Sequence, residues 1–273
     1  MTEFSHYMCL TSSMKGGGGK STLACTLLDF LRRHDVEVAA YDADGAIGTL
    51  SDMHAARDAD GRPHDPQTPL EGVVAYNIRD ESRALLFNSL AAGHRHILHD
   101  VAGGALADMQ RLFGDENSLR NFFRALRSAH ACVIFFHVVT PDVSTIESVA
   151  LHLDLTEKLG DLAGNARHVA VLNRHGDRQD RDFPHWFGYT DAAGVVRGGK
   201  TRARLMSCGG AEMFLPALND RTMSMLKELR RPFAKAVYDP ALSFIDQQRV
   251  QIFMEDFENA LTADVRGMLG LSA

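Results

Sequence analysis

Cysteine is scarce and scattered. Four cysteines, Cys9, Cys25, Cys132 and Cys208, are spread over 273 residues with no Cys-x-x-Cys pair, which argues against a disulfide framework and against a local zinc or cluster loop. Long apolar runs are also lacking. The longest, Ala131–Val139, is too short to span a bilayer and is interrupted by His137. The N-terminal residues MTEFSHYMCL hold no basic segment followed by an apolar stretch, so no signal peptide is expected. An excess of positive charge is missing too: 29 Lys and Arg stand against 35 Asp and Glu, a net charge of −6. That disfavours whole-surface attraction to nucleic acid while leaving room for a local basic patch. What is present is an ordinary globular composition, 45% apolar and 23% charged, which excludes wholesale disorder. The length allows one large domain or two small ones, with a core that needs no covalent staples. A cytoplasmic protein is expected.

Short β-rich runs alternate with longer helix-period segments, the pattern of βαβ units around a parallel sheet. Strands are predicted at His6–Ser12, Val36–Asp42, Val73–Ile78, His96–Asp100, Cys132–Val139 and His168–Asn173. Most are continuous apolar runs, as expected of strands covered on both faces. Helices are predicted at Lys20–Arg33, Glu81–Ala92, Ala105–Phe113, Ser118–Ala129 and Val143–Leu159, the last capped by Asp142 or Ser144. Residues 174–201, with Gly, Pro, Asp and the single tryptophan Trp186, break this rhythm and read as an excursion from one domain spanning 1–273. A strand at Met213–Leu215 and helices at Arg221–Val237 and Ala241–Leu269 complete the chain. The expected fold class is α/β: a doubly wound, mostly parallel twisted sheet with helices on both faces.

One motif dominates. The first strand is followed by Met14-Lys15-Gly16-Gly17-Gly18-Gly19-Lys20-Ser21-Thr22 and then a helix, which together make a P-loop. Glycines let successive backbone N–H groups curl around a phosphate where a Cβ would clash, and the helix N-terminus adds partial positive charge at the same point. Gly16 to Gly19, Lys20, Ser21 and Thr22 are therefore the candidate nucleotide cradle. Lys20 is placed to reach the β- and γ-phosphates and Ser21 to ligate Mg²⁺. A flexible glycine linker is the alternative, disfavoured by the strand before the run and the helix after it.

The loop has Met14 where the common pattern has Gly, and a second lysine, Lys15. In this it resembles the deviant Walker A motif of the ParA/MinD superfamily of P-loop ATPases. The resemblance implies that Lys15 reaches across an ATP-bound homodimer to the partner's phosphates, in the manner of an arginine finger. It extends to Tyr41-Asp42-Ala43-Asp44-Gly45, similar to the family's Asp-x-Asp switch, implying that Asp42 helps hold Mg²⁺ and Asp44 orients the attacking water. The strand ending in Asp100, before Val101-Ala102-Gly103-Gly104, is similar to a Walker B strand and implies a second Mg²⁺ carboxylate. Val169–Asn173 resembles the strand whose terminal Asn recognises adenine, with Pro216 and Leu218 as a wall of that pocket. The switch Gly45-Ala46-Ile47-Gly48 and the Asp-Val-Ala-Gly-Gly segment depart from both the partition and the MinD patterns, which leaves the subfamily open.

Other signals are smaller. His94 and His96 would share one strand face while His99 points to the other, so a single metal does not suit all three. Cys132 is similar to a cluster ligand of the nitrogenase iron protein, but Val101–Gln110 lacks the second cysteine that relative needs. Basic residues gather late, Arg202 and Arg204, then Lys227, Arg230 and Arg231, and are candidates for the salt-sensitive, non-specific DNA binding that the resemblance implies. From Phe244 onward an apolar stripe of Ile245, Ile252, Phe253, Phe257, Leu261 and Val265 runs beside Glu255, Asp256, Glu258 and Asp264. That acidity disfavours an anionic bilayer, so a helix packed on the body is expected and membrane attachment is not. The expected function is an ATP-dependent dimerising switch that segregates or positions DNA, with slow Mg²⁺-dependent hydrolysis and an adaptor or activating partner protein. A MinD-like membrane or cell-positioning ATPase and a metabolic P-loop phosphotransferase are the alternatives.

Overall fold

The computed structural model describes residues 3–12, 17–45, 48–101 and 116–271. Seven strands form one sheet: β1 His6–Ser12, β2 Val38–Asp42, β3 Val74–Ala75, β4 His96–Asp100, β5 Ala131–Val139, β6 Ala166–Asn173 and β9 Ala211–Leu215. Their order is β3-β2-β4-β1-β5-β6-β9, and every pairing is parallel. Parallel neighbours need long crossovers, so the helices are driven onto the sheet faces and the strands are buried on both sides. All nine residues of β5 are buried, the continuous apolar run that the sequence displays.

Side chains alternate between the faces. Tyr7, Cys9, Leu98, Ile134, Phe136, Val169, Val171 and Met213 form one core with helices α1 Lys20–Arg33, α8 Asp220–Leu229, α9 Phe233–Ala236, α10 Phe244–Ala260 and α11 Ala263–Met268. On the other face Met8, Leu10, Tyr41, Ile97, Val133 and Phe135 meet Phe122, Phe123 and Leu126 of α4 Glu116–Ser128. Beside them lie Val139, Leu172 and residues of α5 Val143–Glu157, α6 Pro184–Phe187 and α7 Lys200–Ser207. Each fully buried large apolar side chain contributes about 1.5–3 kcal/mol. α2 Thr49–His54 follows β2, and α3 Leu85–Ala91 precedes β4. Asp142 is the cap of α5, accepting from Ser144 N at 3.0 Å.

Several predicted bounds shift, each for a local reason. The strand expected at Val73–Ile78 pairs as a strand only over Val74–Ala75. Tyr76 N still donates to Asp42 O at the end of β2, but Ile78 N turns to Ala43 O in the loop beyond it. The Glu81–Ala92 helix opens with a 3₁₀ turn over Glu81–Ala84. The helix predicted at Arg221–Val237 breaks at Arg230, whose φ is 51°, just ahead of Pro232. The last helix divides at Leu261 because Thr262 caps a new one. Its expected apolar stripe is only partly right: Phe253, Phe257, Leu261 and Val265 are buried, but Ile245 and Ile252 are exposed, and Val250 and Met254 complete the packed face. The helix predicted at 105–113 lies outside the described residues.

Residues 174–201 carry a 3₁₀ turn, α6 and an antiparallel hairpin of β7 Tyr189–Thr190 and β8 Val196–Arg197. Phe183 and Trp186 from this segment are fully buried against Val139, Leu172 and Leu205. The indole Nε1 of Trp186 donates to Glu212 Oε1 at 2.6 Å, and the same carboxylate accepts a bidentate pair from Arg202. Among the described residues no helix is long and apolar enough to cross a membrane.

Candidate nucleotide site

The C-terminal ends of the central strands meet in register. Thr11 of β1 lies beside Asp100 of β4, and Asp100 lies beside Asp42 of β2. This is the edge at which an open parallel sheet holds its ligands. Thr11 Oγ1 donates to Asp100 Oδ1 at 2.6 Å, and the Ser21 hydroxyl donates to the same carboxylate. Burial, reinforced by the Asp42 charge, pushes Asp100 up to about 6. Burial also raises Asp42, against hydrogen bonds from Ser51 and Asp44. Lys20 is 7% exposed at the first position of α1, and burial lowers its pKa against the attraction of Asp100 and Asp44. Two buried carboxylates side by side, with a serine hydroxyl at one of them, are a hard-oxygen donor set of the kind that suits Mg²⁺.

Asp42 is fixed by the loop and helix on its C-terminal side. Asp44 N donates to Oδ1 at 3.2 Å and Ser51 N, in the first turn of α2, to Oδ2 at 2.9 Å. Gly48 is indispensable to this closure, since a Cβ there would lie 1.9 Å from Asp42 Oδ2. Asp44 itself is exposed at the mouth, bridged to Asn77. Gly19 begins α1 with φ 98°, a conformation that glycine adopts without penalty.

The Asn173 side chain reaches the loop. Its Nδ2 donates to Gly18 O at 2.8 Å, and its Oδ1 accepts from His175 N at 2.9 Å. A cavity of about 220 Å³ opens beside it, lined by Gly17, Gly19, Thr22, Asn173, Pro216 and Leu218. The predicted base-pocket residues thus come together with the loop. Met223, Lys227 and Phe253 also line this cavity. Lys15 and Gly16 of the P-loop, and Ala102–Gly104 after Asp100, lie outside the described residues.

Sequence reasoning missed Thr11, Gly48 and Ser51. No motif marks them, because their roles come from strand register and loop closure. The basic candidates do not gather on one surface. Arg202 and Arg204 are on α7, on the face of the sheet opposite α8, and are paired with Glu212 and with Asp154 and Glu157. Lys227 faces the nucleotide cavity; Arg230 pairs with Asp52 and Arg231 with Asp239. His96 bonds Leu269 O on one sheet face, while His99 stacks on Tyr41 and bonds Tyr76 and Ser89 on the other. Among the described residues no group of three or more His, Cys, Asp or Glu is arranged to hold a metal ion.

Solved structures of similar fold include a ParA family ATPase from Chlorobium tepidum TLS, 12% identical over 92% of this chain and 98% of that one, with a TM-score of 0.52. The septum site-determining protein MinD of Pyrococcus horikoshii OT3, complexed with Mg-ADP, is 19% identical over 93% and 95%, with a TM-score of 0.50. A Cyanothece McdA variant in complex with ATP is 12% identical over 99% of both chains, also at 0.50. At these identities the likeness establishes the P-loop fold. No curated protein sequence matches the chain significantly. The family described as the CobQ/CobB/MinD/ParA nucleotide binding domain matches residues 10–183. That match covers well over half the chain and contains Lys20, Asp42, Asp100 and Asn173, so the protein belongs to the CobQ/CobB/MinD/ParA family of nucleotide-binding proteins, within the ParA/MinD superfamily.

Proposed function

We propose that the protein is a ParA-like ATPase that binds ATP with Mg²⁺, dimerises around two nucleotides and acts as a slow, nucleotide-timed switch that segregates or positions DNA. The observation that carries the reading is the convergence of Lys20, Ser21, Asp42, Asp44 and Asp100 at one sheet edge, beside a loop with a second lysine. Lys20 holds the phosphates of its own nucleotide. Ser21, with Asp42 and Asp100, would hold Mg²⁺, which when bound neutralises phosphate charge. Asp44, exposed at the mouth, orients the water for in-line attack, and the partner's Lys15 supplies charge stabilisation across the interface. Asn173, Pro216 and Leu218 bound the base. The ATP-bound dimer would bind DNA non-specifically, and an adaptor protein would time release.

Calorimetry, light scattering and phosphate release test this together. Lys20→Ala is expected to lose nucleotide binding. Lys15→Ala is expected to keep it but to lose ATP-dependent dimerisation and turnover, and Asp44→Ala to accumulate an ATP-bound dimer. Unimpaired turnover by Lys15→Ala removes the dimer mechanism. Duplex DNA titrated with ATP, with ADP and without nucleotide, at two salt concentrations, tests the cargo: binding should require ATP and weaken with salt.

A further inference from the structure

A large concavity lies away from the P-loop, between the C-terminal half of α1, the end of α2, the loop after α2 and the α8–α9 junction. It encloses about 550 Å³. In a chain of net charge −6, its wall carries six cations, Arg32, Arg33, Arg57, Arg230, Arg231 and Lys235, against three carboxyl groups.

Most of that positive charge is not neutralised. Arg32 directs its guanidinium at the carbonyls of Pro69, Leu70, Glu71 and Gly72, and Arg57 bonds the carbonyls of Gly61 and Asp52. Among the described residues neither is ion-paired to a carboxylate, and Arg33 and Lys235 have no ion-pair partner. Arg230 and Arg231 do pair, with Asp52 and Asp239. Asp58 on the wall is occupied by the backbone N–H groups of Asp60 and Arg62.

The floor supplies an independent observation. His54 and Asp29 line the cavity, 5% and 4% exposed; the Asp29 carboxyl accepts from the backbone of Phe233 and Ala234, while among the described residues His54 Nε2 and Asp29 Oδ2 have no hydrogen-bond partner. They stand 3.8 Å apart, too far to satisfy each other. Both residues line a cavity walled by guanidinium groups, with these two atoms just beneath its surface. Burial holds His54 down at about 3 and Asp29 up at about 7, so near neutral pH the imidazole is uncharged and the carboxyl is about half protonated.

We propose that this concavity is a second ligand site, taking a phosphate-bearing anion whose oxygens are held by Arg32, Arg33 and Lys235 and whose inner end meets His54 and Asp29. Guanidinium forks match tetrahedral oxyanions with paired hydrogen bonds, and several unneutralised cations call for more than a single negative charge. The site stands apart from the nucleotide reading, since it shares no residue with the P-loop.

Inorganic pyrophosphate is the probe, titrated calorimetrically into the full chain in Mg-free buffer with saturating ADP to occupy the P-loop. One pyrophosphate per chain is expected to bind in addition to ADP. The double variant Arg33→Ala/Lys235→Ala, which removes two exposed side chains, should weaken it at least tenfold. Ala59→Glu, which sets a carboxylate on the cavity wall, should do the same by a separate route. Competition between pyrophosphate and a 20-base-pair duplex, lost in both variants, identifies the phosphate as that of a nucleic-acid backbone. A duplex that does not compete identifies a small phosphorylated molecule. Failure of pyrophosphate to bind the ADP-saturated chain, or parental pyrophosphate affinity in both variants, overturns the proposal.

Discussion

At Gly19 a methyl group would lie 2.5 Å from Asn173 Nδ2, on a backbone held at φ 98°. The first turn of α1 and the end of β6 are thus in contact through a space that only glycine leaves open. Gly19→Ala would strain the backbone by about 1–3 kcal/mol and displace the amide that bonds Gly18. We expect a fall in nucleotide affinity of at least tenfold, read by calorimetry, with the far-ultraviolet circular dichroism unchanged. Residue roles of this local kind were legible where they sit in one stretch of chain, as Lys20, Ser21 and the glycines do. Thr11, Gly48 and Ser51 were not. Thr11 matters only because register puts its hydroxyl on Asp100, and Gly48 only because the chain returns over Asp42.

Elements were legible to the degree that one physical signal governed them. The central strands and α1 follow from buried apolar runs and the glycine–lysine junction, and their bounds fall within two residues of the sequence reading. Where two signals compete, the sequence misleads. The helical period runs on past Leu229, but an αL residue and Pro232 end it; the apolar run after Val73 is claimed by the β2 loop instead of by a ladder. The segment around Trp186 shows the same limit, since nothing local marks Glu212 as its partner. Trp186 is fully buried, so Trp186→Ala should cost about 3–5 kcal/mol. Urea titration followed by circular dichroism should show the midpoint falling at unchanged slope.

Across the whole molecule, buried histidines set the response to acid. Burial lowers His54, His99 and His168 to about 3 and His152 to about 4. The unfolded chain therefore takes up protons near pH 6.5 that the folded chain refuses, and stability falls as pH drops. Asp29 and Asp100, raised to about 7 and about 6, act in the opposite sense: their folded forms keep protons that the unfolded chain has released, so they stabilise on acidification. From pH 7.5 to pH 5 the four histidines cost about 8 kcal/mol and the two carboxyls return about 4 kcal/mol. A net loss is expected, visible as a Tm about 10 °C lower at pH 5 in nucleotide-free, metal-free buffer. A Tm that rises on acidification would refute the assignment of these histidines as neutral.

The sheet ends at β9, and an outermost parallel strand is an invitation to strand addition by a second copy. Glu212 is the second residue of that strand, fixed there by the Trp186 indole and the Arg202 fork. A carboxylate locked into the rim makes an approaching backbone desolvate a charge, so this border resists fibre-like growth. Copies of the chain that meet are left to do so through other surfaces, and replacing Glu212 by valine would convert a bounded sheet into a template.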